Sequence, residues 1–516
     1  MKKRFDNLGL LFNEISTFYA DTIAIRTIYG ATYKYNNLET VSNQYAHFLL
    51  AKGIVQNDVV AILNNKTISS YALMIACLKI GAIYTNLDPN SPEERLSKML
   101  DICFPKILFY GGDESTCLDD YDCDIEIVDF VSSSFKNSVN TFKISLPECT
   151  NNVGGNTTAY IMFTSGSTGF PKGAAISHKN VINFIEWSQS TYKTNQYDIF
   201  TNLNPMHFDN SVFDFYSSLF TGASIIPINE NLKRNPRKLL DALNDLNPTI
   251  WFSVPSMLVY TLNMRALRSS DLSTLKIVTF GGEGFPKNQL RKLWSYWGKR
   301  IRFVNVYGPT ECTCICSSYD VTEQDIDSDE LLPLGHMAAN FYGIVVDDEG
   351  NKLPAGEIGE LHIGGHNVGK GYYNNPEKTN EVFVTNTNIN KHKEIVYRSG
   401  DLVKQDPETK MFLFCGRKDN QIKRMGYRIE LEEIENAINS IDFINENAVI
   451  YEDNEKFNSK IIACVSSTLE HSDKITEILK KYLPSYMLPD LFFYFDRLPK
   501  NQNGKIDRLK LKKEVN

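Results

Sequence analysis

The chain has 516 residues, 42% of them hydrophobic and 22% charged, with a formal net charge of −8. That length is too great for one simple core and predicts at least two structural units of ordinary globular composition, excluding a disordered or fibrous chain. The negative balance argues against nucleic acid as the main partner, and no stretch approaches the ~18 apolar residues of a membrane span.

The start, MKKRFDNLGLLF, is basic, but its apolar run is only Leu8 to Phe12, which suits neither a signal peptide nor an anchor. Ten cysteines in so long a chain point to reduced thiols in a cytoplasmic protein. Cys312, Cys314 and Cys316 alternate, which on a strand would place all three on one face; no His/Cys pair at zinc-like spacing follows, so no metal site is expected there. Residues 35–52 carry apolar side chains at helical spacing, 58–63 read as a strand, and 69–80 as another helix. This rhythm predicts a layered α/β sheet, with Pro92, Glu93 and Glu94 opening the next helix. A polar connection over 142–158 leads to the apolar run 160–163, and then to TSGSTGFPKG at 164–173. Glycines that let the backbone approach an anion, hydroxyl donors and Lys172 make that loop a polyphosphate cradle, although no GxxxxGK[ST] string is present. Strand and helix alternate again to about residue 311. From Leu353 the chain is rich in strands and turns, and 416–435 passes from a charged stretch into an amphipathic helix and a compact α+β tail.

The string TSGSTGxPKG resembles the phosphate loop of the adenylate-forming enzymes, and that family's other motifs follow in order over roughly 32–511. The resemblance implies a large layered α/β N-terminal domain with a small β-barrel subdomain (1–418), and a small mobile α+β C-terminal domain (419–516). It implies ATP and Mg²⁺ as cofactors. Thr164, Ser165, Gly166, Ser167, Thr168, Gly169 and Lys172 would hold the phosphates. Gly281, Gly282 and Glu283 in GGEGFP would line the adenine. In NVYGPTE, beside Asn305, Gly308 and Thr310, Tyr307 would stack on adenine and Glu311 would hold Mg²⁺. Asp401 in YRSGDL and Arg417 would bind ribose, where Phe414 replaces a tyrosine of many relatives. Lys505, in NGKIDR, corresponds to the adenylation lysine, so that Lys505, Glu311 and Thr164 form the catalytic set. Asp419 would be the hinge, and Lys423 and Gly426 would line a channel for a phosphopantetheine arm.

HFDNSVFDFY, at 207–216, resembles the amino-acid-activating branch, found in nonribosomal peptide adenylation domains and D-alanine:carrier protein ligases. There Asp209 would pair with the substrate ammonium group. Its side-chain pocket would comprise Asn210, Phe213, Phe252, Val278, Phe280, Val306, Cys314 and Ile315. Three phenylalanines in such a pocket favour alanine, serine or glycine. Gly281 stands where D-alanine ligases usually carry cysteine, so D or L stays open. The expected reaction is formation of an aminoacyl adenylate, then transfer to the phosphopantetheine of a carrier protein. Only eight residues follow Arg508, so the carrier is expected as a separate chain, without nucleic acid or membrane insertion. Two rivals stay open: an acyl- or aryl-CoA ligase, and a nucleotide-binding homologue without catalysis.

Overall fold

The computed structural model describes residues 5–111, 125–166, 170–386, 394–452, 459–467, 471–500 and 506–515. Ser167, Thr168, Gly169 and Lys505 lie outside the described residues.

Two parallel-rich sheets form the large domain. One, counted over the described residues, has six strands in the order Glu126–Asp129, Ile107–Tyr110, Val59–Leu63, Ile83–Leu87, Thr158–Thr164 and Lys172–Ser177. Its central strands, VVAIL and IYTNL, are buried at every position, as expected where both faces of a parallel sheet are covered. The other has nine described strands and runs from His336–Met337 through Arg302–Tyr307, Ile277–Gly281 and Ile250–Ser253 to Thr32–Lys34 at its far edge. Side chains of both sheets join one core, which encloses the helix Ile68–Ile80. That helix is buried on nearly all sides because its sequence is apolar all round; the Thr67 hydroxyl caps its start and Gly81 in the left-handed region ends it. The helices Pro236–Leu246, Pro255–Asn263 and Lys287–Trp297 cover the outer face of the nine-stranded sheet through a second core.

Phe341–Val346, Ile358–Gly365, Ile395–Gln405, Phe383–Thr385 and Phe412–Arg417 form the antiparallel sheet of the β subdomain. Its register sets Asp401 opposite Arg417. Beyond this, a hairpin of Gln421–Arg424 and Tyr427–Glu430 leads into the helix Leu431–Asn439 and a three-stranded sheet with its own core. The molecule is therefore a large layered α/β domain with a β subdomain, followed by a small α+β domain. No described helix is long and apolar enough to cross a membrane.

The alternating cysteines do not lie on a strand. Thr310–Cys312 is a 3₁₀ turn, and Thr313 and Cys314 follow with φ of 55° and 74°. All three thiols are buried, and burial pushes their pKa values up. Among the described residues no group of His, Cys, Asp and Glu is built to hold a metal ion.

Candidate active site

A cavity of about 300 Å³ opens where the two large sheets, the β subdomain and the small domain meet. Thr158–Thr164 rises parallel to Ile83–Leu87 and the chain returns antiparallel, so Thr164 faces Lys172 across the loop. Thr164 and Ser165 line the cavity, together with Gly282, Tyr307, Gly308, Thr310, Asp401 and Arg417. Gly308 is required by close approach, because a Cβ there would meet the Cys314 carbonyl oxygen at 2.2 Å.

Asp401 accepts a 2.5 Å hydrogen bond from the Tyr307 hydroxyl and a 2.8 Å bond from Arg417. Burial raises its pKa, but Lys423 and Arg417 outweigh that and hold it below the usual carboxylate range. Glu311 is fully buried; Oε1 accepts from the Tyr372 hydroxyl at 2.6 Å and Oε2 from Arg428 at 2.7 Å. Burial again works against ionisation, but Arg428, Tyr372 and Lys172 bring its pKa down to about 2. A single ionised carboxylate suits a hard cation that takes its other ligands from phosphates and water, and withdrawal of Arg428 would free Oε2 for it.

The small domain closes the cleft with its hairpin. Lys423 Nζ lies 5.4 Å from the centre of the Tyr307 ring, and Gly426 N–H donates to Glu283 at 2.9 Å. Glu283 also accepts from Ser256 N–H. Gly426 has φ of 81°, and a Cβ there would stand 2.3 Å from a Val254 methyl. Tyr427 stacks on Tyr486 at 3.7 Å, with Phe208 edge-on to Tyr427, forming one wall. Asp419 is held by Arg417 at the start of this segment. Arg428, Arg95, Glu430 and Glu433 are site residues that sequence reasoning missed. Arg428 lies inside the KRMGYR string, the one signal that could have found it.

At the other end, Asp209 precedes the helix Asn210–Leu219 and caps nothing, so its carboxylate faces the cavity. The Thr310 hydroxyl donates to it at 2.7 Å. Burial pushes its pKa up to about 6, and it has no ion pair among the described residues. Asn210, Phe252, Val306, Cys314 and Ile315 line the cavity as expected. Phe213, Val278 and Phe280 do not. Phe213 is buried behind, edge-on to Phe252 at 5.1 Å. Val278 and Phe280 belong to the outer core with Trp251 and Phe303. Cross-strand register pairs Thr279 with Phe252, and Gly281 with Val306, so Thr279 and Gly281 share the sheet face of the cavity-lining Phe252 and Val306. A shift of one residue in a strand turns the side chain to the opposite face. Asn305 also points away, donating to the Pro333 carbonyl. Gly166 and Lys172 do not border the cavity but bond to the small domain's Glu433 and Glu430.

The return from Thr164 to Lys172, the Asp401–Arg417 pair and the half-buried Asp209 meet around one interdomain cleft. The family described as AMP-binding enzyme matches residues 12–373, and AMP-binding enzyme C-terminal domain matches 433–505. The chain belongs to this adenylate-forming family. It is 33% identical over 504 residues to bacitracin synthase 1 of Bacillus licheniformis, covering 96% of this chain but 9% of that protein, so it spans under a tenth of that relative's length. It is 30% identical over 489 residues to the D-alanine–D-alanyl carrier protein ligase of Bacillus mycoides (strain KBAB4), covering 93% and 94%. The fold superposes on the Vibrio cholerae adenylation domain AlmE, in complex with glycyl-adenosine-5'-phosphate, with a TM-score of 0.82 at 22% identity, over 100% and 99% of the two chains.

Proposed function

We propose that this protein activates a small amino acid, alanine, serine or glycine, with ATP and passes it to the phosphopantetheine thiol of a carrier protein. The observation that carries this reading is Asp209: a half-buried carboxylate without an ion pair among the described residues, bordering the cavity and accepting a hydrogen bond from the Thr310 hydroxyl. Desolvation outweighs the pull of Arg428 and keeps the pKa of Asp209 raised, so a further cation is favoured there, and a substrate ammonium group supplies it. An acid without the amine gives Asp209 no such added partner, which disfavours the CoA-ligase reading. Phe252, backed by Phe213, narrows the pocket and supports a small side chain; of the three phenylalanines expected there, Phe252 alone borders the cavity.

In this reading residues 1–418 bind ATP and the amino acid, and 419–516 move about Asp419. The substrate carboxylate attacks the α-phosphorus and pyrophosphate leaves; the thiol then attacks the acyl carbon and AMP leaves. Lys172 and the loop N–H groups hold the phosphates, Asp401 and Arg417 orient the ribose, and Lys505 offsets negative charge gathering at the α-phosphate. Mg²⁺, held by Glu311, would neutralise the phosphate oxygens. The free thiols among the described residues accord with a reducing cytoplasm.

The test is ATP–pyrophosphate exchange across D- and L-alanine, serine, glycine, larger amino acids, and fatty and aryl acids. Exchange with a small amino acid is the expected result. Exchange only with an acid lacking the amine would move the protein among the CoA ligases, and silence with every acid would leave a nucleotide-binding homologue without catalysis.

A further inference from the structure

The helix Glu93–Cys103 of the large domain and the helix Leu431–Asn439 of the small domain meet at the phosphate loop through one carboxylate. Glu433, 3% exposed, accepts at Oε2 from the Gly166 N–H at 3.1 Å, and at Oε1 it pairs with the Arg95 guanidinium. Arg95 is 8% exposed and borders the cavity beside Thr164 and Ser165. Three residues earlier on the small domain, Glu430 pairs with Lys172 at 3.4 Å. Two carboxylates from one short stretch therefore engage two groups that belong to the polyphosphate cradle. A carboxylate held between a backbone N–H at a glycine-rich loop and a guanidinium sits where a phosphate oxyanion would find the same donors. A guanidinium at that depth needs an anion at all times, because an unpaired buried charge is costly. When the small domain withdraws Glu433, Arg95 must take another anion or be reached by water.

We infer that Arg95 is a ligand of the β- and γ-phosphates of ATP, and that Glu433 is the internal anion that takes the same donors when the small domain is docked as it is here. This rests on the adenylation reading. It makes the triphosphate and the docked small domain competitors for one site, whereas AMP, lacking those phosphates, competes with neither carboxylate. On this inference Glu433 can take these donors only once the β- and γ-phosphates have left them.

The experiment measures ATP, AMP and magnesium pyrophosphate binding to the full chain by calorimetry, for the wild type, Arg95→Gln, Arg95→Lys and Glu433→Gln, with thermal unfolding of each without ligand. Loss of a charge-assisted contact predicts that Arg95→Gln weakens ATP and pyrophosphate about ten-fold or more while AMP affinity holds, and that Arg95→Lys falls between. Glu433→Gln, close to isosteric, should tighten ATP and pyrophosphate and leave AMP alone, which tests the site even if Arg95→Gln unfolds. An ATP-to-AMP affinity ratio untouched by Arg95→Gln overturns the Arg95 assignment alone, and a Glu433→Gln that binds ATP no tighter overturns the competition. A wild-type chain that binds neither nucleotide overturns the adenylation reading and this inference with it.

Discussion

The carboxylate proposed to hold the substrate ammonium group, Asp209, comes at a cost to the folded protein. Its pKa, about 6 against a usual value of 3.8, means that the ionised form is disfavoured in the fold by an amount on the order of 3 kcal/mol. The sign follows from linkage: the penalty is absent where the carboxyl is protonated in both states, below about pH 4, and is fully present above about pH 6. Asp209→Asn should therefore raise the melting temperature at pH 8, with a gain that fades toward pH 4, while amino-acid-dependent exchange falls by roughly 10²-fold from loss of the ammonium partner. Melts across that pH range alongside exchange kinetics check both, and a variant less stable at pH 8 than the wild type would contradict the assignment. In the wild type, kcat/KM for the amino acid should fall as pH drops through about 6, because protonation of the free enzyme's Asp209 removes the charge that the ammonium group needs.

The element proposed to carry the second half-reaction is the hairpin of Gln421–Arg424 and Tyr427–Glu430. It has no extended core of its own; the tight turn at Gly426, the Arg428–Glu311 pair and the bond from Gly426 N–H to Glu283 hold it in the cleft. A left-handed conformation costs a non-glycine residue about 1–2 kcal/mol, and the new methyl would also strike Val254. Gly426→Ala should thus slow aminoacyl transfer to the carrier while leaving adenylation nearly intact, and Val254→Ala added to it should restore part of the transfer. Separate assays of exchange and of carrier loading check this; equal loss in both would place the defect in folding rather than docking.

At the scale of the molecule, the proposed function assigns the two half-reactions to different arrangements of the small domain. In the arrangement seen here, Lys172 and Glu311, which the proposed reading gives to ATP and its cation, are already paired with Glu430 and Arg428 of the small domain. Lys505→Ala should lower adenylation by roughly 10²–10³ while sparing transfer from preformed aminoacyl adenylate, the opposite of the Gly426→Ala pattern. Single-turnover measurement of each step decides it. The motif residues were legible in the sequence because each sits in a short string whose glycines, hydroxyls and charges have only local work to do. The strand facing the pocket was not: a one-residue offset between motif and register turned Val278 and Phe280 away and brought Thr279 and Gly281 to the cavity side.

The sequence by itself determined the layered α/β fold, since the periodicity of apolar residues specifies strands and helices within a few residues, and the resemblance of short motifs pointed to Thr164, Tyr307, Glu311 and Asp209, which the structure brings around one cleft. Only the tertiary structure decided which side chains share the cleft. Arg95 and Glu433 are 338 positions apart and Arg428 and Glu311 are 117 apart, and nothing in the local chemistry of either partner names the other. Their pairing follows from how one domain docks on another, where buried charges must find counter-charges wherever the packing brings them.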